Sequence, residues 1–291
     1  MSERDVPGGG AAARPGPTSR VRVRQLSGLS ARDRRDDLAT EEPLEIRLTG
    51  PGGAGRTVAI TITMRTPGHD FELAAGFLHG EGLVRAGDIA AIGYCADADL
   101  PPESRYNVVT VRLHVPVPDL PALDRHFLTS SACGVCGSAS LDALRERCAP
   151  VPRGLLKLSP GLLYGLPPAL RAAQGVFGKT GGLHAAGLFS PSGTLVAVRE
   201  DVGRHNAVDK LAGWAALDGR LPLAEHVLMV SGRTSYEIMQ KALAAGLPVV
   251  CAVSAPSSLA VELAREFGVT LVGFLRGERC NVYAGAERVS V

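Results

Sequence analysis

The second half of the chain alternates short apolar runs with longer stretches that have helical periodicity. Apolar runs at 227–230, 248–253 and 269–274 predict strands, and the stretches between them, at 235–245 and 257–267, predict helices. Strands that alternate with helices of this length are typical of layered α/β domains. The pattern therefore predicts a layered mixed sheet, partly parallel, with helices packed on it.

The other elements of this half are predicted from shorter signals. A helix is predicted over 206–217, with Asn206 as its N-cap, because asparagine accepts hydrogen bonds from first-turn amides. Thr234 and Glu237 have the spacing of a capping box. The proline-rich stretch 150–168 predicts a connection without regular structure. Further strands are predicted at 175–177, 187–189, 195–199 and 281–283.

The first half mixes short strands with one helix. In the segment 57–64, large apolar side chains alternate with small or polar ones, which predicts a strand with one apolar face. The apolar positions there are Val58, Ile60, Ile62 and Met64. Strands are also predicted at 19–26, 44–48 and 107–115, and a helix at 70–78.

The composition divides the chain into four parts. Residues 1–18 are rich in glycine, alanine and proline and predict a disordered tail. Residues 19–127 predict a smaller N-terminal α+β subdomain, and 128–170 hold a cysteine loop, a helix and a connection. Residues 171–291 then form the predicted C-terminal α/β domain.

Charge and hydropathy exclude two classes of protein. The formal net charge is +2, so composition gives no case for nucleic-acid binding. No apolar run approaches the roughly 18 residues that a membrane span needs. The first seventeen residues lack the apolar segment of a secretory signal, so we expect a cytoplasmic protein whose six cysteines are reduced.

A Cys-x-x-Cys pair, Cys133 and Cys136, lies between glycines and directly before a predicted helix that ends near residue 147. Three kinds of chemistry use such a pair. A structural zinc site needs four ligands, and the sequence has no second pair of this kind. A redox dithiol or a persulfide carrier needs an exposed thiolate, which flanking glycines and a helix N-terminus favour. Spacing alone leaves the redox and persulfide alternatives open.

Three loops of the second half have anion-binding character. Residues 231–235 join a strand to a helix N-terminus and include Gly232, Arg233 and Thr234. Residues 276–279 place two arginines around a glycine, and 200–206 are a polar run that enters another helix. Dinucleotide-binding and P-loop glycine motifs are both missing. All three loops fall at one end of the predicted sheet elements, which predicts a nucleotide-like site there.

Several long motifs, in order, resemble one family. They run from about residue 41 to residue 283 and include the stretches Thr66-Pro67-Gly68, Ser131 to Gly137 and Gly181-Gly182-Leu183-His184-Ala185-Ala186. They continue with Arg199 to Ala207, Ser231 to Glu237, and Ala255 to Ala260. Together these motifs resemble the accessory sulfurtransferases of formate dehydrogenase, the FdhD family.

The resemblance implies a function and its residues. A cysteine desulfurase would load a persulfide on Cys133, with Cys136 assisting, and the sulfur would pass to the Mo-bis-molybdopterin guanine dinucleotide cofactor before its insertion into the formate dehydrogenase catalytic subunit. GDP would mimic that ligand. The resemblance also implies a homodimer. The expected cofactor-binding residues are Phe274, Leu275, Arg276, Gly277, Glu278, Arg279, Gly232, Arg233, Thr234, His184 and Asp201.

The resemblance further implies a cytidine-deaminase-like fold for the C-terminal domain. Zinc deaminases carry H-x-E followed by P-C-x-x-C. Here His184 is followed by two alanines, and the Cys-x-x-Cys pair precedes the histidine, so deamination is not supported and no metal is expected. Two alternatives stay open beside sulfur transfer: a chaperone that only holds the cofactor, and a thiol-disulfide oxidoreductase.

Overall fold

The computed structural model describes residues 14–53, 57–95, 101–118, 138–152 and 156–290. The first half of the chain begins with an exposed β-hairpin. The four strands that follow it along the chain form a sheet in the order β4-β3-β6-β5. Within that sheet β3 pairs in parallel with β6, and the other pairs are antiparallel. The helix α1 packs on one face of it. The elements are β1 (Thr18–Ser27), β2 (Ser30–Ala39), β3 (Glu42–Thr49), β4 (Val58–Arg65), α1 (Asp70–Gly80), β5 (Ile89–Tyr94) and β6 (Val108–Leu113).

The second half forms a six-stranded mixed sheet in the order β12-β11-β10-β9-β7-β8. The strands β9, β10 and β11 are mutually parallel, whereas β7 runs antiparallel to both of its neighbours and β12 antiparallel to β11. Its elements and those leading into it are α2 (Ser138–Arg147), α3 (Pro160–Ala173), α4 (Gly175–Thr180), β7 (His184–Phe189), β8 (Leu195–Asp201), α5 (Arg204–Leu217), β9 (Val227–Val230), α6 (Tyr236–Ala244), β10 (Val249–Ala252), α7 (Ser258–Glu266), β11 (Thr270–Arg276) and β12 (Arg279–Ala284).

Helices cover both faces of the six-stranded sheet. On one face, Leu228 and Val250 pack with residues of α5, α6 and α7. On the other face, Met229 and Cys251 pack with leucines of α3. Successive strand residues point to opposite faces, so fully apolar strands such as β9 and β10 supply both cores. The predicted layered α/β fold is confirmed.

The strand β4 corrects one detail of the predicted pattern. Its pairing with β3 shifts between Ile46 and Arg47, and this bulge moves the alternation by one residue. As a result Ile62 and Met64 are 52% and 44% exposed. The threonines between them, Thr61 and Thr63, are buried instead. A bulge depends on the partner strand, so the local alternation could not show it.

Two predicted segments are wrong. The connection predicted over 150–168 contains most of α3, which Ser159 caps by accepting a hydrogen bond from the Leu162 amide at 3.2 Å. The two prolines inside α3 hid its apolar face, which consists of Leu163, Leu166 and Leu170. The strand predicted at 175–177 is part of the helix α4. The strands β2 and β5 were not predicted.

Both predicted helix caps are also wrong. The helix α5 begins at Arg204 with Gly203 as its N-cap, so Asn206 lies inside the first turn. The N-cap of α6 is Ser235, and the Thr234 hydroxyl is buried without a hydrogen-bond partner among the described residues. In both places the helix boundary differs by one or two residues from the local pattern. Tertiary contacts to Met64 and Asp201 use the Asn206 side chain that the pattern assigned to capping.

The helices α1 and α5 cross in close contact and join the two halves. A Cβ atom on Gly76 would lie 1.8 Å from the Asp209 carbonyl oxygen, and one on Gly213 would lie 1.8 Å from the Glu72 carbonyl oxygen. Glycine at both positions therefore allows backbone-to-backbone packing. This crossing holds the N-terminal subdomain against the helix that starts at the candidate site.

Candidate functional site

The strands β8, β9, β10 and β11 all end at the same edge of the six-stranded sheet. Because β7 is antiparallel to both of its neighbours, its first residue, His184, lies at this edge opposite Asp201. The helices α5 and α6 begin there and direct backbone N–H groups toward the edge. The structure thus places the three predicted anion-binding loops at one edge, where ligands bind in open α/β sheets.

His184, Gly232 and Arg204 form the centre of the site. A Cβ atom on Gly232 would lie 3.5 Å from the His184 Nδ1 atom and 3.9 Å from the Arg204 Cδ atom. The glycine therefore leaves open a space between an imidazole and an arginine. Burial, followed by the nearby Arg204 charge, lowers the pKa of His184, although Asp201 opposes the shift. The imidazole is consequently neutral at pH 7 and can accept or donate a hydrogen bond.

Two polar atoms in this region are buried without a partner among the described residues: the Nε of Arg204 and the hydroxyl of Thr234. Unsatisfied buried polar groups cost free energy and call for an explanation, such as a bound ligand. Thr234 is fully buried, and its backbone is held at two points: its amide donates to the Ala255 carbonyl at 3.3 Å, and its carbonyl accepts from the Ser257 amide at 2.9 Å. These bonds tie the loop after β9 to the loop after β10.

A second histidine, His205, lies beside this centre at the start of α5. Its Nε2 atom is 3.4 Å from the Ser235 hydroxyl and 3.7 Å from a Glu237 carboxylate oxygen. Burial lowers the pKa of His205 to about 4, which outweighs the opposing effect of Glu237. The neutral ring therefore bridges the first turns of α5 and α6.

Asp201 is buried completely, in contrast to its predicted role as a ligand-facing residue. Its carboxylate accepts hydrogen bonds from the amides of Thr66 and Gly203, at 3.1 and 2.8 Å. The Nζ of Lys210 lies 2.7 Å from it, and the Asn206 side-chain amide donates to it at 3.1 Å. With these four donors already around it, Asp201 holds the loop rather than contacting a ligand.

The predicted segment 274–279 lies at the same edge, two strands away from Gly232. Strand spacing puts that separation at about 10 Å. Phe274 is 40% exposed with a φ of 50°, and its amide donates to the Ser254 carbonyl at 3.1 Å. Leu275 is fully buried in the core, so its side chain points away from the edge.

The rest of this segment is a tight hairpin turn. Arg276 is paired with Arg279 across it, and Gly277 adopts a φ of 55°, which favours glycine. The Nε of Arg276 donates to the Val253 carbonyl at 2.9 Å, which fixes the guanidinium near the edge. Arg279 and Glu278 are exposed. The turn offers two cations at the rim of the site.

The structure therefore brings together His184, Gly232 and the rim arginines. Thr234, Asp201 and Leu275 are all fully buried, but the Thr234 hydroxyl lacks a partner among the described residues, whereas Asp201 already has four donors. Arg233 is exposed next to this centre. Sequence reasoning missed Arg204 and His205 as site residues. The signal was the polar run 200–206 at a helix start. The residues of that run that face the site are Arg204 and His205, the first two residues of the helix.

The predicted carrier residues Cys133 and Cys136 lie outside the described residues. The helix that follows them, α2, is anchored by buried Leu144 and by Arg145, whose Nε donates to the Glu266 carboxylate at 2.7 Å. Burial raises the pKa of Cys251, and burial likewise raises the pKa values of Cys148 and Cys280. These three thiols are thus protonated at neutral pH.

Other kinds of site are not seen in the ranges that the structure covers. No group of three or more His, Cys, Asp or Glu side chains there has a geometry that could hold a metal ion. No helix in the same ranges is long and apolar enough to cross a membrane. What the edge offers chemically is an anion-binding surface of helix N-termini, arginines and two neutral histidines.

Comparison with known proteins agrees with the motifs. A sulfur carrier protein FdhD from Nocardia farcinica is 52% identical over 94% of this chain and 95% of its own length. Proteins of the same name from Mycobacterium tuberculosis and Thermoplasma volcanium are 50% and 38% identical, over 94% and 95% of this chain and 99% and 97% of their own lengths.

A solved structure gives the same result. A crystal structure assigned to a formate dehydrogenase accessory protein from Desulfotalea psychrophila superposes with a TM-score of 0.71 at 25% identity, covering 94% of this chain and 100% of that one. The model of the FdhD/NarQ family matches residues 39–290. The resemblance drawn from the motifs is thereby confirmed, and the chain belongs to the FdhD/NarQ family.

Proposed function

We propose that this chain is a sulfur carrier that supports formate dehydrogenase. The observation that carries the proposal is the 52% identity, over nearly the full length of both chains, to a relative named sulfur carrier protein FdhD. The chain also has a glycine-flanked Cys-x-x-Cys pair directly before the helix α2. A thiolate in such a position is a good sulfur nucleophile.

The proposed chemistry takes place on Cys133. Its thiolate attacks the outer sulfur of a persulfide on a cysteine desulfurase, the S–S bond of the donor breaks, and the donor cysteine leaves as a thiolate. The product is a persulfide on Cys133, whose outer sulfur is delivered to the acceptor. Cys136 assists by attacking the inner sulfur of Cys133, which releases hydrosulfide and leaves a disulfide for a cellular dithiol to reduce.

The proposed acceptor is the Mo-bis-molybdopterin guanine dinucleotide cofactor, bound as a substrate at the edge of the six-stranded sheet. The support is chemical: its guanine nucleotide carries phosphates, which suit helix N-termini and arginines. The unpartnered Nε of Arg204, the Thr234 hydroxyl and the space beside Gly232 fit such an anion. GDP is the simplest probe of the site.

The proposed partners follow from this role. They are a cysteine desulfurase as sulfur donor and the catalytic subunit of formate dehydrogenase as recipient of the cofactor. We further propose a cytoplasmic location, since both donor and recipient must be reached before the dehydrogenase is completed, and a homodimer, which the family resemblance implies.

The test uses the full-length protein, a purified desulfurase and cysteine. Intact-mass spectrometry should show one added sulfur on the wild-type chain, removable by a thiol reductant and located on Cys133 by peptide mapping. Cys133→Ala should lose the added sulfur and the ability to support formate dehydrogenase, while GDP binding stays unchanged. Cys148→Ala is the matched control, since burial keeps that thiol protonated.

One result would contradict sulfur carriage. If Cys133→Ala supports full formate dehydrogenase activity and binds GDP as the wild type does, the chain acts as a cofactor-holding chaperone instead.

A further inference from the structure

A buried polar cluster joins the N-terminal sheet to the loop that enters α5. At its centre is Thr66, the residue after β4, which is 2% exposed. Its amide donates to the Asp201 carboxylate at 3.1 Å, and its hydroxyl accepts from the Val202 amide at 3.2 Å. Its carbonyl accepts from the Nζ of Lys210 at 2.8 Å. Every polar group of Thr66 therefore contacts the segment 201–210.

The same loop is held at two further points. Asn206 donates to the Met64 carbonyl at 2.8 Å and accepts from the Thr63 hydroxyl at 3.4 Å. Pro67 restricts Thr66 to an extended backbone, which presents its amide and carbonyl to the loop. The end of β4 thus forms a template for the loop, although it lies about 135 residues earlier in the chain.

This template controls residues that do face the site. Val202 and Gly203 lead directly into Arg204 and His205, the first residues of α5. Arg204 reaches the space beside Gly232, and His205 reaches Ser235. A change in the path of the loop therefore moves both side chains relative to α6. Preorganisation of this kind lowers the cost of binding.

We propose that Thr66 is a positioning residue for the anion site, acting through the loop 201–206 without touching the ligand. The proposal rests on the proposed function for the identity of the ligand, a guanine nucleotide. It assigns the N-terminal subdomain a share in ligand binding at a site built by the C-terminal domain.

A purely structural role would look different. The contact between Arg199 and Glu72, with Nη2 donating to the carboxylate at 2.8 Å, also joins β8 to the N-terminal subdomain, but it does not touch the loop. Loosening this contact should lower stability and leave the site intact. Glu72→Gln is therefore a matched control for Thr66→Val, which removes the hydroxyl with little change of shape.

Two measurements test the proposal on full-length protein. Hydrogen exchange without ligand should show faster exchange at the amides of 202–206 in Thr66→Val than in the wild type. Titration with GDP should show about three- to tenfold weaker binding, the fold-change that one net hydrogen bond supplies. Thr66→Ser, which restores the hydroxyl, should recover both, and Glu72→Gln should change neither.

The outcomes separate this proposal from the proposed function. Unchanged exchange in Thr66→Val, unchanged GDP affinity despite faster exchange, or an equal loss of affinity in Glu72→Gln would each overturn the positioning role. If wild-type protein binds no GDP, the nucleotide assignment of the proposed function is wrong. Hydrogen exchange alone then tests the positioning role of Thr66. Faster exchange at 202–206 that is confined to Thr66→Val supports this role, and equal exchange in Thr66→Val and the wild type overturns it.

Discussion

Burial determines the charge state of His205 at this edge of the sheet. The side chain of His205 is 19% exposed, and its ring is held between Ser235 and Glu237. Removal from water disfavours the charged imidazolium, so burial lowers its pKa to about 4. The nearby charges divide: Arg204 and Lys241 lower this pKa, and Glu237 and Glu81 raise it. The neutral imidazole is therefore the form that bridges the first turns of α5 and α6.

The lowered pKa of His205 predicts acid sensitivity. The unfolded chain binds a proton on this histidine near pH 6.5, whereas the folded chain does so only near pH 4. Between these values the unfolded state binds more protons, so stability falls as the pH falls. We expect the wild type to lose about 1.5 kcal/mol more unfolding free energy than His205→Gln between pH 6.5 and pH 5.

Urea unfolding of both proteins at the two pH values measures this difference. Equal pH dependence in wild type and His205→Gln would show that the histidine is not held neutral in the folded protein.

At the scale of elements, the two halves meet where α1 crosses α5. Gly76 and Gly213 allow each backbone to touch the other. The helix α5 starts at the candidate site, so its axis also sets where Arg204 and His205 lie. The crossing therefore connects packing in the middle of the molecule to geometry at its edge.

This contact predicts that Gly76→Ala is strongly destabilising, by about 3 kcal/mol or more, because the new methyl group would collide with backbone atoms of α5 that cannot move aside alone. Gly165→Ala is the matched control. That glycine is also inside a helix, and nothing lies within 4 Å of an added Cβ. Its replacement should be neutral or stabilising by up to about 1 kcal/mol.

Thermal unfolding of the two variants checks both values. Similar melting temperatures for Gly76→Ala and Gly165→Ala would mean that the helices separate without cost.

At the scale of the whole molecule, the N-terminal sheet and the C-terminal sheet are connected by polar and apolar contacts together. The helix crossing, the contact between Arg199 and Glu72, and the cluster around Thr66 all lie along α5 or β8. Neither half can separate without exposing the fully buried Asp201 and the nearly buried Lys210. Unfolding of one half would therefore destabilise the other.

We accordingly expect the two halves to unfold together. Differential scanning calorimetry should show one transition whose calorimetric and van't Hoff enthalpies agree. Two resolved transitions would show that the N-terminal subdomain and the α/β domain are thermodynamically independent, and the links through α5 would then carry little energy.

The positions of most strands and helices follow from the sequence because their signals are local. Apolar runs such as 227–230 and 248–253, separated by helical periods, predicted the layered α/β fold and the edge at which its loops meet. The helix α3 could not be predicted from local signals, because its two prolines disfavour a helix. Its structure depends instead on the packing of its buried leucines in the core. Motifs around Cys133 and His184 identified the family.

What only the tertiary structure decided is which polar side chains of those loops face a ligand. Asp201 and Arg204 belong to one polar run, yet the first is buried among four donors and the second reaches the open space beside Gly232. The difference arises because Thr66, 135 residues earlier in the chain, supplies a donor to Asp201. A hydrogen bond between such distant segments leaves no periodic trace in either, so it exists only once the two sheets have packed.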